Sequence, residues 1–227
     1  MEVDCTSGKH TEMSLKGKAS ISEHFERFNA MLDEIRHPCF INPVPQEMFT
    51  DIPFNDHKEA FEFDTVSARR FFEQNLFAYR SILGLVSSFR GKKIMPALFW
   101  GTLDMTRILY SGTECPYPDK GTIEEVAFDE KLIEFGYWTG DEAENEPMFF
   151  VLSYPFLEGS IPDDAVSPKE AFYSVEKAEY FLRLEDAFSY EDAQRVVEQF
   201  FKDSFALIAK NQKWENLDWL TKPLLIS

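Results

Sequence analysis

The hydrophobic period of the chain changes several times, and each change marks an element. Residues 2–16 alternate weakly about Ser7-Gly8-Lys9, which predicts a hairpin or a strand and turn. From Ser20 the period lengthens. Ser20 and Glu23 have capping-box spacing, and Phe25, Phe28, Leu32 and Ile35 follow at helical intervals. His37-Pro38 ends this helix, because a residue before proline avoids the α region. Cys39-Phe40-Ile41 reads as a short strand. Pro43, Pro45 and Pro53 then hold the chain in an irregular surface loop to about Phe63. Asp64 or Thr65 caps a second helix. Its apolar stripe is Phe72, Leu76, Tyr79, Leu83 and Val86, and Gly91-Lys92-Lys93 stops it.

The centre is richer in strands. Residues 97–100, 103–110, 137–138 and 148–154 are aromatic or β-branched runs. Turn chemistry separates them at Ser111-Gly112, 116–120 and 139–147. Residues 157–169 form a second polar loop, and Phe172-Tyr173 and 180–184 read as further strands. Residues 189–192 repeat the capping spacing ahead of a last helix with Val196, Val197, Phe200, Phe201 and Phe205 on one face. The tail, with Trp214, Leu217, Trp219 and Leu220, is expected to dock on the body. Interspersed helices and hairpin-like strands predict an α+β fold. It has an antiparallel, aromatic-rich β core packed by about three amphipathic helices, with a sandwich-like β core as the alternative. Residues 1–227 are read as a single α+β domain.

Composition narrows the function classes. Hydrophobic residues make up 44% and aromatics 15%, with 23 Phe, enough for a large aromatic core and against global disorder. Asp plus Glu number 40 against 23 Lys plus Arg, a net charge of -17. Such a surface repels phosphate backbones and anionic lipid, so neither nucleic acid nor membrane is an expected partner. Cys5, Cys39 and Cys115 show no C-x-x-C spacing, which argues against a disulfide framework and a zinc site. Reduced thiols suit the cytoplasm. Residues 1–18 lack the apolar core of a signal peptide, and runs such as 148–152 are too short to cross a bilayer.

Several blocks carry a family resemblance. Residues 96–112 read P-A-L-F-W-G-T-L-D-M-T-R-I-L-Y-S-G. In order with them stand Pro45-Gln46-Glu47 with Ile52-Pro53-Phe54, the Gly91-Lys92 pair, and Gly136-Tyr137-Trp138-Thr139-Gly140. Ser153-Tyr154-Pro155 with Glu158-Gly159, and Glu179-Tyr180-Phe181-Leu182, complete the set. The pattern resembles domain-of-unknown-function family 5996, mainly bacterial, over nearly the whole chain. The resemblance implies a longer family N-terminal portion, of which strands within 1–18 would be a remnant. It also implies histidines before F-W-G and before the G-F-W turn, where this chain has Ala97-Leu98 and Asp129-Glu130-Lys131. It implies no activity.

No phosphate loop, dinucleotide fingerprint, H-E-x-x-H or G-x-S-x-G is present, so no cofactor or metal is called for. Two weaker constellations remain. Asp56-His57 on the proline-rich loop has the residue types of a proton relay or of metal ligands, against the plainer reading of a solvated loop. Asp104 interrupts an apolar run beside Trp100 and Gly101. With Trp138 and Tyr154 it would form an acidic, aromatic cleft for a small polar ligand, with a carboxyl group raised by desolvation. The plainer reading pairs Asp104 with Arg107 or Arg90 as a structural ion pair. The expected function is non-catalytic binding of a small molecule or a protein partner. The alternative is a small-molecule enzyme using Asp or His as acid and base.

Overall fold

The computed structural model describes residues 1–45, 50–86, 88–99, 101–118, 127–141, 144–157 and 166–223, with Val86 by its backbone alone. Trp100, Gln46-Glu47, Glu158-Gly159 and parts of the loops predicted at 116–120, 139–147 and 157–169 lie outside the described residues. The chain divides into two units, Met1–Arg70 and Phe71–Ser227.

In the first unit, β1 (Glu2–Asp4) and β2 (His10–Glu12) form the predicted hairpin, with Glu2 opposite Glu12 and Gly8 at φ 81° in the turn. The helix α1 (Ile21–Glu34) opens on a complete capping box. The Ser20 side chain accepts from the Glu23 backbone N–H, and the Glu23 carboxylate accepts from the Ser20 N–H. The helix stops before His37-Pro38 is reached. Arg36 adopts φ 59°, its N–H donates to the Asp33 carbonyl, and that of His37 donates to Leu32. This is the left-handed ending that satisfies the last carbonyls of a helix. Residues 39–41 form no strand, and Phe40 is 92% exposed. The sheet partner of β3 (Lys18–Ser20) is instead β4 (Ala60–Glu62), inside the stretch predicted as loop. Three residues are too few for alternation to show.

The helix α2 (Thr65–Val86) is capped by Asp64, whose carboxylate accepts from the Val66 and Ser67 N–H groups. Its buried stripe is Asn75, Ala78 and Ile82, whereas Phe72 and Tyr79 are exposed. At the sheet, Ala78 and Ile82 of α2 pack into the core of fully buried Phe135, Tyr137 and Phe149, and partly buried Phe77 sets its ring 6.2 Å from that of Phe149.

The second unit is built on one antiparallel six-stranded sheet. Its strands are β5 (Lys93–Phe99), β6 (Asp104–Glu114), β7 (Glu130–Trp138), β8 (Met148–Tyr154), β9 (Phe172–Ser174) and β10 (Glu179–Arg183). Their order is β5-β6-β7-β8-β10-β9. The strand β5 ends at Phe99 and residues 101–103 turn, with Leu103 at φ 61°. The strand β7 is longer than its predicted stretch at 137–138, because Glu130, Lys131 and Glu134 interrupt the apolar pattern that would have revealed it.

Among the described residues, the helices α3 (Leu184–Phe188), α4 (Ala193–Asn211) and α5 (Leu217–Leu220) follow the sheet. One sheet face packs against α4, whose buried residues include the predicted Val197, Phe200, Phe201 and Phe205. The Phe201 ring meets Phe135 at 5.6 Å and Phe149 at 5.9 Å, both nearly edge-on. In the tail, Trp214 is buried against Phe89 and Phe205, as docking requires. Trp219 stays 57% exposed under the Arg90 guanidinium, 4.7 Å from its ring centre. The α+β architecture with an aromatic-rich antiparallel core is thus the one the sequence predicts. Among the described residues, no helix is long and apolar enough to cross a membrane.

Candidate functional site

The other face of the six-stranded sheet carries acids among aromatic rings. Side chains alternate along a strand, so residues two apart share a face. The registers then align rows across the sheet. One row runs Thr106, Gly136, Phe150, Phe181, Phe172, and the next includes Glu134, Leu152 and Glu179. Together with Thr102, Asp104, Trp138 and Lys177 this face forms a cleft of about 250 Å³, with Phe150, Leu152 and Phe181 among its apolar lining.

Gly136 makes the floor possible. A Cβ there would lie 2.2 Å from Phe150 Cζ and 2.8 Å from Thr106 Oγ1. Its missing side chain lets the Phe150 ring lie across β7.

The acids differ in their partners. Asp104 accepts from the Thr102 hydroxyl at 2.7 Å through Oδ2, while Oδ1 is buried with no hydrogen-bond partner. Burial pushes the Asp104 carboxyl upward, and the Thr102 bond partly opposes this. Glu134 is pushed up to about 7, first by burial, with the Asp104 charge adding to it. Glu179 is also pushed up to about 7, by burial first and then by the Glu134 charge, against the pull of Lys177. Thr106 Oγ1 lies 2.8 Å from Glu134 Oε1 and 3.1 Å from the Phe135 carbonyl oxygen. A hydroxyl has one proton. Both contacts are fully satisfied when protonated Glu134 donates to Thr106 and Thr106 donates to the carbonyl.

Among the described residues, one cation enters the cleft. Lys177, on the turn between β9 and β10, holds its ammonium 4.5 Å from the centre of the Trp138 ring and 5.7 Å from that of Phe181. The arrangement suits a positive charge over aromatic faces with carboxylates around it. Among the described residues, no group of His, Cys, Asp and Glu is arranged to hold a metal ion.

Of the residues singled out from sequence, the fold brings Asp104 and Trp138 into this cleft. Trp100 is outside the described residues. Tyr154 belongs to a separate cluster with Tyr110 and Leu132, against Tyr117 and Phe128, and its hydroxyl donates to the Pro116 carbonyl at 2.8 Å. Neither expected arginine pairs with Asp104. Arg107 is three residues away on the same strand and so points to the opposite face, while Arg90 donates to the Lys222 carbonyl.

Asp56 and His57 lie in the first unit, where their loop is tied to α1. The Ser22 N–H donates to the His57 carbonyl and the Ser22 hydroxyl to that of Asn55. His57 Nδ1 is buried without a hydrogen-bond partner, so no relay to Asp56 runs through that nitrogen. Glu134, Glu179 and Lys177 were missed. Glu134 and Glu179 could have been found as acids on the same alternation as Trp138 and Phe181.

A search of curated proteins and of solved structures finds no match to the chain. A family model described as a family of unknown function (DUF5996) matches residues 1–220. With the match spanning nearly all of its length, the chain belongs to the DUF5996 family of unknown function.

Proposed function

We propose that the protein binds a small organic cation, an amine or a guanidine, in the cleft over β6, β7, β8 and β10. The observation that carries this reading is the Lys177 ammonium above Trp138, in a cavity lined by Asp104, Glu134 and Glu179. The protein's own cation occupies the place where a ligand cation would gain most. The volume suits a ligand of few heavy atoms, and the apolar floor suits a short hydrocarbon body.

Lys177 then competes with the ligand. Lys177→Ala is expected to tighten binding of a short alkylamine about fivefold, from loss of a contact of ~1 kcal/mol. Trp138→Ala is expected to weaken it by at least as much. Isothermal titration of the full chain with butylamine and with butylguanidine checks both. Equal affinities for wild type, Lys177→Ala and Trp138→Ala would contradict the reading.

A second reading rests on Glu134 and Glu179. Carboxyl groups near 7 are suited to proton transfer at neutral pH, so the same cleft could act as acid and base on its bound ligand. Turnover of a bound amine with a pH optimum that Glu134→Gln abolishes would support this reading; binding without turnover would leave the first.

A further inference from the structure

The helix-covered face of the sheet holds a charge that the protein does not balance. Arg107, in the middle of β6, is 0% exposed, and its Nε, Nη1 and Nη2 atoms all lack a hydrogen-bond partner. The chain has 40 acidic residues, yet among the described residues none forms an ion pair with it. Apolar side chains and one of the same sign stand beside it on this face. Phe135 lies opposite it on β7, and Leu109 is the next residue on its side of β6. Lys93, opposite Leu109 on β5, is pushed down by burial first and by the Arg107 charge second. Even after burial, the guanidinium stays protonated at neutral pH, at about 9.

A buried charge with neither counter-charge nor acceptor is strongly destabilising. The same face carries a second unsatisfied donor. Tyr137 is fully buried, its hydroxyl has no partner, and the register places it diagonally across from Arg107. The α4 helix adds Ser204 Oγ, also buried and unpartnered, one turn beyond Phe201, which packs on Phe135.

From these groups we infer a second binding site, for a small monocarboxylate, held by the Arg107 guanidinium with the Tyr137 hydroxyl as an additional donor. The planar fork of arginine matches the two oxygens of a carboxylate. Single charge is favoured over the double charge of a phosphate, because the cost of removing an ion from water rises steeply with its charge and the surroundings are apolar. The occupant neutralises the interior of the sheet–helix layer and so acts as a structural ligand as well as a bound one. The site is independent of the cleft, since it lies on the opposite face of the sheet and takes the opposite charge.

The test uses the full chain, refolded at constant ionic strength in sodium butyrate or in sodium chloride. Wild type should melt higher in butyrate, saturably, and retain one butyrate mass after desalting in native mass spectrometry. Arg107→Met should lose both responses. Tyr137→Phe keeps the ring and should raise the half-saturating butyrate concentration about tenfold, the loss of one hydrogen bond to a charged group. It also reads the site if the arginine variant does not fold. Identical melting of wild type in butyrate and chloride with no retained mass, or unchanged responses in both variants, would overturn the inference.

Discussion

Substitution of Gly136 by alanine is expected to destabilise the protein by ~1–3 kcal/mol, the usual cost of overpacking a closed site. The new methyl group would lie 2.2 and 2.3 Å from two Phe150 ring carbons and 2.8 Å from Thr106 Oγ1. Phe150 is held in a buried cluster with Met148 and Phe181, and the space left to it is the cleft itself. Its displacement would lift the cleft floor, and displacement of Thr106 would loosen Glu134. Stability and amine binding should therefore fall together. Urea unfolding and titration calorimetry on the same sample measure the two. A variant as stable as wild type with intact binding would show that Phe150 does not form the floor described.

The second large effect is a fall in stability as pH rises. Glu134 and Glu179 have an ordinary value of 4.5 and are pushed up to about 7 in the folded protein. Between these values the folded state holds protons that the unfolded state has released. Their contribution is fully present below about 4.5 and is lost as pH rises through about 7. Each proton so held gives a slope of up to ~1.4 kcal/mol per pH unit in that window.

Groups pushed the other way act elsewhere. Glu23, held down by bonds from Ser20, and Asp64, held down by bonds from Ser67, lose their contributions only in more acid solution. The urea midpoint should therefore decline from pH 5 to pH 7.5, and Glu134→Gln should flatten the decline relative to wild type. A midpoint that is level or rising over this range, or equally steep in the variant, would contradict the buried state of these acids.

The parts legible in the sequence were those with a local signal. The Ser20–Glu23 capping box, the Gly8 turn and the Phe200-Phe201 face of α4 each express a rule satisfied within a few residues. Asp104 and Trp138 were legible as an acid and a large ring in a strand-rich centre, and the rows of the sheet bring them together. What escaped notice depends on partners far along the chain. The pairing of β3 with β4 joins residues that no local pattern links. Glu134 hid β7 by breaking its apolar run, and for the same reason is an acid placed among rings. Lys177 reaches Trp138 only because the pairing of β10 with β8 joins the β9–β10 turn to the sheet that carries Trp138. The α2 stripe was misplaced because amphipathic spacing identifies a face but not which large residues the opposing layer leaves room for.

The cleft is proposed to receive a cation at Trp138 and its surrounding acids. This is tested most directly by following the Trp138 indole N–H resonance, assigned with Trp138→Phe, while butylamine is titrated into the full chain. A saturable shift of this resonance that strengthens in Lys177→Ala is expected, with the Trp214 resonance unmoved because that ring is buried against Phe89 and Phe205. A Trp138 resonance that does not move at saturating amine in wild type or in Lys177→Ala would contradict the proposal.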